Sequence, residues 1–224
     1  MESVHQDVDS FITSILPRST KRALDLLSLQ SWLKKTDWYL AGGTALAMRM
    51  GHRRSVDLDF FTQRSSFSQG ALLAHLEKLD WITDILQEGT IYGRLCGAKV
   101  SFIAYPFFFP AERMGVYGAV RILSPRDIAV MKIVAISQRG RKRDFVDLFW
   151  YTTHIEPLFD VLRRLSKQYP TVAHDYHHIL KSLVYFADAE NDQMPQLIST
   201  LAWSKVKTYF ERETRRAAEL ILTE

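Results

Sequence analysis

The spacing of apolar residues in the N-terminal half predicts two helices, a strand, a tight turn and a third helix. Apolar residues recur at helical intervals through residues 5–35, and Pro17 divides this stretch into two helices. The short apolar run at 38–41 ends at two glycines, which is typical of a buried strand before a tight turn. Good helix formers occupy 44–50, and Gly51 after them is a favourable C-terminal cap.

The pattern then changes to a strand, a helix and a series of strands. Polar and apolar residues alternate over 55–62, which predicts a strand with two different faces. The residues at 66–79 predict an amphipathic helix. The segments after it are predicted as three strands at 82–87, 90–95 and 98–105, a loop at 106–118 and a last short strand at 119–123.

Beyond residue 123 the pattern is helical. Ser124-Pro125 is a well-formed helix start, and helical periodicity continues from there to residue 224 except at Pro157, Pro170 and Pro195. We therefore predict an α+β protein with a mixed-sheet domain at 1–122 and a helical domain at 123–224. Antiparallel hairpins with few parallel crossovers favour this class over a doubly wound sheet.

Composition narrows the class of protein without identifying it. Apolar residues make up 47% and charged residues 24% of the chain, as in typical globular proteins, and no apolar stretch approaches the length that spans a bilayer. One cysteine, Cys96, cannot form an internal disulfide, and the acidic N-terminus is unlike a secretory signal. We therefore expect a cytoplasmic protein. The net charge of +4 is modest, but the run at 139–143 concentrates four cations. Such a run is usually a solvated turn, and it is also expected for a protein with phosphate-bearing partners.

Two aspartates, Asp57 and Asp59, are the first candidates for chemistry. On a strand their side chains point to one face, with Cα atoms about 7 Å apart. Without a cation two such carboxylates repel each other. Carboxylate oxygens suit Mg²⁺ or Mn²⁺, and Mg²⁺ is typically held by one or two carboxylates together with substrate phosphates. The pair therefore predicts a metal site.

Gly42-Gly43-Thr44 opens a predicted helix directly after a strand. Glycines allow a sharp turn and a close approach to a ligand, and the N–H groups of a helix N-terminus attract anions. The Thr44 hydroxyl either contacts phosphate or caps its own helix. Further candidate contacts for a triphosphate lie between the two motifs, at Arg49, Arg53, Arg54 and Ser55, together with His52.

The order of these motifs is more specific than either motif alone. A strand, Gly-Gly-Thr, a helix, and a strand with Asp-x-Asp together resemble the nucleotidyltransferase superfamily of the DNA polymerase β type. The string AGGTALAMRMGHRRSVDLDFF, at 41–61, is similar to the AbiEii/AbiGii toxins of bacterial abortive-infection and toxin–antitoxin systems. The resemblance implies a mixed sheet flanked by helices and a helical C-terminal domain.

The resemblance extends to a second motif, formed by Lys132, Arg139, Asp144 and Asp147. Lys132 and Arg139 share one face of a predicted helix, and Asp144 and Asp147 share a face of the next. The resemblance implies that Lys132 neutralises phosphate charge, that Arg139 contacts the nucleotide and that one of the two acids assists the acceptor. From spacing alone, Asp144 could equally pair with an arginine at 141 or 143, and Lys132 could be exposed.

One residue departs from the polymerase β pattern. A third carboxylate is expected on the strand at 98–105, where this chain has Ser101. That substitution argues against a symmetric two-metal site and favours one Mg²⁺ shared by Asp57, Asp59 and the triphosphate. The carboxylates would then need the segment 132–147 to complete a composite site.

The reaction that this resemblance implies is transfer of a nucleoside monophosphate from an NTP to an acceptor hydroxyl. It requires Mg²⁺ or Mn²⁺, and the resemblance makes RNA, tRNA in particular, the leading acceptor. It also implies a toxin of a type IV system, with a separately encoded antitoxin as partner. Two alternatives remain open: transfer to a protein acceptor, and a non-catalytic module that binds nucleotide or RNA.

Overall fold

The computed structural model describes residues 15–221. The described chain forms two compact units, one built from residues up to Pro106 together with Glu112–Ser124, and the other from Phe107–Ala111 together with the chain from Pro125 onward. Most of the helix predicted before Pro17 lies outside the described residues.

A mixed sheet organises the first unit. Among the described residues it has seven strands: β1 (Tyr39–Ala41), β2 (Leu58–Thr62), β3 (Trp81–Gln87), β4 (Thr90–Leu95), β5 (Ala98–Ala104), β6 (Gly115–Tyr117) and β7 (Val120–Ile122). Their order is β3-β4-β5-β2-β1-β7-β6. The β2–β5 and β1–β7 pairs are parallel, and the other neighbours are antiparallel. β2 is therefore the central strand of the sheet.

Helices accompany the strands of this unit. They are α1 (Arg18–Ser28), α2 (Ser31–Lys34), α3 (Gly42–Met50) and α4 (Gln69–Leu76), which continues into a 3₁₀ turn at Glu77–Leu79. Aromatic side chains fill the core beside the central strands. The rings of Phe60 and Phe102, from β2 and β5, stack with centroids 5.0 Å apart, and Trp38 meets Phe102 edge-on.

The second unit is helical. Its helices are α5 (Pro125–Arg139), α6 (Lys142–His154), α7 (Leu158–Arg163), α8 (Leu165–Gln168), α9 (Tyr176–Leu183), α10 (Ala187–Glu190) and α11 (Trp203–Ile221). Phe145 of α6 is fully buried against Phe186, Trp203 and Phe210, and this aromatic cluster forms the centre of its core. Of the helices that the structure describes, none has both the length and the apolar character that crossing a bilayer requires.

The structure confirms the predicted α+β class, with differences at particular elements. The strands predicted at 82–87, 90–95 and 98–105 are present within one residue of those bounds. Gly51 ends α3 in the left-handed conformation, with φ of 65°, as predicted for a C-terminal cap. The predicted loop at 106–118 was wrong at its end, because Gly115–Tyr117 pairs with β7 as a short edge strand. The strand predicted from residue 55 begins only at Leu58.

Candidate active site

Asp59 is the second residue of the central strand, β2. Buried and half-buried residues alternate along β2, and Asp59 is on the half-buried side while Leu58 and Phe60 are fully buried. Its register partners are Ala41 on antiparallel β1 and Ser101 on parallel β5. The carboxylate is therefore flanked by a strand on each side.

Ser101 contacts this carboxylate directly. Its Oγ donates a hydrogen bond of 2.7 Å to Oδ1 of Asp59, and Ser101 itself is 3% exposed. Hydrogen bonds to a charged acceptor are stronger than those between neutral groups. The position where the polymerase β pattern has a third carboxylate thus holds a neutral donor that fixes one oxygen of Asp59.

Gly42 approaches the same carboxylate from the other side. Its φ is +68°, a conformation that residues with a Cβ rarely adopt. A Cβ at this position would lie 3.2 Å from Oδ2 of Asp59, closer than an ordinary van der Waals contact. Both the turn and the close approach therefore require glycine at residue 42.

The N-terminus of α3 begins at this turn. Ala41 occupies the N-cap position, where a methyl group cannot accept a hydrogen bond from the first turn. The first N–H groups of a helix lack intrahelical partners, so the amides of Gly42 and Gly43 suit an anion. A nine-residue helix adds the favourable end of its dipole to these donors.

Thr44 joins this helix to the segment that carries Asp57. Thr44 is 1% exposed, and its Oγ1 donates to the backbone carbonyl of Asp57 and is hydrogen bonded to Oγ of Ser55 at 2.8 Å. The hydroxyl does not cap its own helix. Instead it positions the backbone on which the half-buried Asp57 is displayed.

Two of the arginines predicted to contact a triphosphate occupy different places. Arg49 is in the last turn of α3, about 10 Å along the helix from Gly42, and its guanidinium lies beside Gly115 of β6. Arg53 is buried, and its Nη1 donates to the carbonyl of Arg54 at 2.8 Å. The structure therefore gives Arg53 a role in holding this loop and places Arg49 at the far end of the helix.

The donor set fits a divalent cation that is shared with a substrate. Within residues 15–221, no group of three or more acids, histidines and cysteines could hold a metal ion by itself. Asp57 and Asp59 offer hard carboxylate oxygens, and Mg²⁺ is commonly bound by one or two carboxylates plus substrate phosphates. These residues therefore fit Mg²⁺ or Mn²⁺ bound together with a nucleoside triphosphate.

The second motif forms one cluster of charges in the helical unit. Nζ of Lys132 lies 2.6 Å from Oδ1 of Asp144 and 2.6 Å from Oδ2 of Asp147. Nε of Arg139 lies 3.1 Å from the other oxygen of Asp144. Both aspartates are fully buried and Lys132 is 5% exposed. Asp144 thus pairs with Lys132 and Arg139, and Lys132 is not at the surface.

The electrostatics of this cluster assign different roles to its members. Burial by itself would raise the pKa of Asp144, but the charges of Lys132 and Arg139 outweigh it, and the pKa lies below its usual value. The four formal charges cancel. The Arg139 side chain is 54% exposed, so it is the member that presents positive charge to a ligand in solvent.

Sequence reasoning missed the hydrogen bond that Ser101 makes. The polymerase β pattern has a third carboxylate at residue 101. From the sequence alone, Ser101 therefore indicates only that this acid is absent. The pairing of Asp59 with Ser101 across β2 and β5 is the signal that could have revealed the contact.

The fold and this geometry define the chain as a nucleotidyltransferase: a mixed sheet with a carboxylate on its central strand, beside a helix that opens at two glycines. The chain belongs to the family of AbiEii nucleotidyl transferase toxins of type IV toxin–antitoxin systems, whose family model matches residues 26–92 and 98–222. The resemblance stated from the sequence is thereby confirmed.

Individual proteins are similar to this chain over most of its length. A protein from Aquifex aeolicus strain VF5, aq_aa25, is 37% identical over 188 residues, which cover 82% of this chain and 89% of that protein. The nucleotidyltransferase toxin MenT4 from Mycobacterium tuberculosis H37Rv shares the fold, with a TM-score of 0.55, 16% identity, and coverage of 94% of this chain and 88% of MenT4. The antibiotic-resistance factor ANT(2'')-Ia gives a TM-score of 0.46 at 15% identity, over 80% of this chain and all of that chain.

Proposed function

We propose that this enzyme transfers a nucleoside monophosphate from an NTP to a hydroxyl group of RNA, tRNA in particular. The observation that carries the proposal is the position of Asp59, which lies between the N-terminus of α3 and the Ser101 hydroxyl. This arrangement places an anion-binding helix N-terminus beside a carboxylate that can hold a cation. A nucleoside triphosphate with its metal ion needs both groups, the helix N-terminus for its phosphates and the carboxylate for its cation.

The nucleotide-binding roles follow from these contacts. The amides of Gly42 and Gly43 bind phosphate oxygens, and Asp57 and Asp59 hold Mg²⁺. When bound, the cation neutralises triphosphate charge and favours attack at phosphorus. Thr44 and Ser101 keep the two carboxylates in position, through the Asp57 backbone and the Asp59 side chain respectively.

The chemical step exchanges one ester bond for another. The acceptor hydroxyl oxygen forms a bond to the α-phosphorus, the bond from that phosphorus to the bridging oxygen breaks, and pyrophosphate leaves with the electron pair. The hydroxyl proton passes to a base. Asp144 or Asp147 assists the acceptor as that base, and the Nζ atom of Lys132 lies 2.6 Å from a carboxylate oxygen of each.

Positive charge from the helical unit supports the reaction in this proposal. Two donors of the Lys132 ammonium are used by the aspartates, which leaves one N–H of three for a phosphate. Arg139 is more exposed and uses Nε for Asp144, so its terminal nitrogens suit a phosphate better.

RNA is the acceptor that the charge distribution favours. The net charge is +4. In the cationic run at 139–143, Lys142 is buried and donates to the carbonyls of Glu190 and Asp192. The exposed Arg139, Arg141 and Arg143 are therefore the cations that suit phosphate backbones. As a member of this toxin family, the protein is proposed to inhibit growth by modifying RNA. A separately encoded antitoxin would relieve this inhibition. Because NTPs and tRNA are cytoplasmic molecules, we place the reaction in the cytoplasm.

A transfer assay tests the proposal. Each α-labelled NTP is incubated with the protein, Mg²⁺ and total tRNA, and the products are separated into RNA and protein. The site variant is Asp57→Asn/Asp59→Asn. The matched control is Asp37→Asn/Asp84→Asn, which removes two surface carboxylates of the same unit that pair with Arg64 and Arg94.

Label in RNA that disappears in the site variant and persists in the control supports the proposal. Label in protein would replace RNA with a protein acceptor. Binding of NTP without any transfer would contradict the catalytic proposal and leave a non-catalytic binding module.

A further inference from the structure

A cavity of about 440 Å³ lies within the helical unit, apart from the cluster around Lys132. Its lining residues are charged, four of them cations and two acids: Arg126, Arg163, Arg164, Lys167, Glu156 and Asp160. Their formal charges sum to +2. We call this site the basic cavity. Its residues come from α5, from the turn after α6 and from the segment of α7 and α8.

Glu156 holds two arginines in place, the half-buried Arg164 and the exposed Arg126. Its Oε1 accepts hydrogen bonds from Tyr151 Oη at 2.8 Å and from Arg164, and its Oε2 accepts from Arg126 Nη2 at 3.1 Å. Burial acts to raise the pKa of Glu156, but the hydrogen bonds from Arg164 and Tyr151 outweigh it, so the pKa is lowered. The carboxylate is therefore ionised and saturated, and it fixes the guanidinium groups instead of repelling an anionic ligand.

Arg164 is fixed in the wall of the cavity. Its side chain is 19% exposed, and its Nη2 donates to the backbone carbonyl of Arg126 at 3.3 Å as well as to Glu156. The guanidinium therefore has a defined orientation beside the cavity. Exposed Arg163 and Lys167 add positive charge at the rim, opposed there by Asp160.

A phosphate group matches this arrangement. A guanidinium held in a fixed orientation recognises phosphate through parallel N–H donors, and a lysine adds a point charge. The net charge of the lining also discriminates between phosphate ligands. A net charge of +2 is balanced by two phosphodiesters, whereas a free triphosphate without its metal brings about four negative charges.

We propose that the basic cavity binds backbone phosphates of the acceptor RNA. This inference rests on the proposed function, in which the acceptor is RNA. Phosphate contacts of this kind fix the position and orientation of a nucleic acid without reading its sequence. The cavity therefore supplies affinity for RNA and leaves the choice of the modified hydroxyl to other groups.

Binding of fluorescently labelled total tRNA to the full-length protein, measured across a salt series, tests the inference. The test variant is Arg163→Ala/Lys167→Ala, because both side chains are exposed. It leaves in place the hydrogen bonds of Glu156 with Tyr151, Arg126 and Arg164. The control is Lys181→Ala/Lys205→Ala, which removes two exposed lysines of the same unit outside the cavity. Thermal melting verifies that both variants are folded.

The expected result is weaker RNA binding by the test variant alone. Removal of one cation that neutralises a phosphate should reduce the slope of log K against log salt concentration by about 0.7–0.9, so the slope of the double variant should fall by roughly 1.5. Affinity at low salt should fall at least about tenfold. The affinity for free NTP should not change.

Three results would overturn the inference: a test variant that binds RNA like the wild type, a control whose affinity falls as much as that of the test variant, or a matching reduction in affinity for free NTP. The transfer assay is run in parallel. RNA labelling with unchanged RNA binding in the test variant rejects the cavity and keeps the proposed function. The reverse outcome, no RNA labelling but cavity-dependent RNA binding, rejects the proposed function and keeps the cavity.

Discussion

The hydroxyl of Ser101 donates a hydrogen bond of 2.7 Å to Oδ1 of Asp59 across two adjacent parallel strands. A serine at this place supplies orientation where the polymerase β pattern has another charge. In the proposed function the site therefore has one carboxylate fewer with which to attract a cation, so we expect the affinity for Mg²⁺ to depend more strongly on the phosphates of the bound nucleotide.

Ser101→Asp should allow the protein to bind a divalent cation in the absence of nucleotide. Without metal, two carboxylates side by side repel each other, so the variant should unfold at a lower temperature than the wild type. Mn²⁺ or Mg²⁺ without nucleotide should then raise its melting temperature by several degrees and that of the wild type much less. Differential scanning fluorimetry with and without the cation measures both effects.

Ser101→Asn is the neutral control for this comparison, because it enlarges the side chain without adding charge. An aspartate variant that responds to the cation no more than the asparagine variant would show that residue 101 does not face a metal site.

Gly42→Ala should both destabilise the protein and reduce catalysis. The left-handed φ of +68° is unfavourable by about 1–2 kcal/mol for a residue with a Cβ, and the added methyl would press on Oδ2 of Asp59. Urea unfolding measures the first effect and the transfer assay the second. Gly70→Ala serves as the control, since a Cβ there meets nothing within 4 Å. That variant should be unchanged or more stable by up to about 1 kcal/mol.

Thr44→Val separates a positioning role for the hydroxyl from a phosphate contact. Valine has the same shape, but it leaves the Asp57 carbonyl without its donor, so unfolding free energy in the absence of nucleotide should fall by about 1–3 kcal/mol. Thr44→Ser, which keeps the hydroxyl, should be destabilised much less. If valine left the stability of the nucleotide-free protein intact and weakened only NTP binding, the hydroxyl would serve the ligand instead.

Asp144→Asn should reduce stability in a pH-dependent way. The folded-state pKa of Asp144 lies below its unfolded value, so its ion pairs stabilise the protein above about pH 4, and this contribution is lost as the pH falls through the lower folded value. Removing one partner of a buried pair typically lowers the free energy of unfolding by about 3–5 kcal/mol. The difference between the wild type and the variant should therefore be large at pH 7 and should shrink towards pH 2.

Urea unfolding of both proteins over this pH range provides the measurement. Asp84→Asn is the control, because its pair with Arg94 is exposed and such pairs contribute at most about 1 kcal/mol. A constant difference between wild type and Asp144→Asn at every pH would mean that the charge of Asp144 is not what stabilises the fold.

Local patterns in the sequence were enough to predict most elements, and longer-range packing explains the exceptions. The hairpins from β3 to β5 have alternating residues and glycine turns, which are local signals. Strand β6 has only three residues and depends on pairing with β7, so its composition resembled a loop. The strand predicted from residue 55 begins only at Leu58, because Val56 is 53% exposed and does not belong to the alternating pattern.

The candidate site shows the same limit. The spacing of Asp144 and Asp147 was sufficient to place them on one face, but only folding brings Lys132 within 2.6 Å of both. Burial of Arg53 was equally invisible in the sequence, since an arginine in a loop is normally solvated. Both features depend on tertiary neighbours that no local pattern contains.

The place of β2 in the sheet has a consequence for how this enzyme is controlled. With three strands on either side, β2 is the last strand to be reached by fraying from the sheet edges, and its amides should exchange only on global opening. The carboxylate of Asp59 should therefore keep its geometry in the native ensemble. We expect that activity is turned on and off by admitting or excluding substrates, because displacing Asp59 would require opening the centre of the sheet.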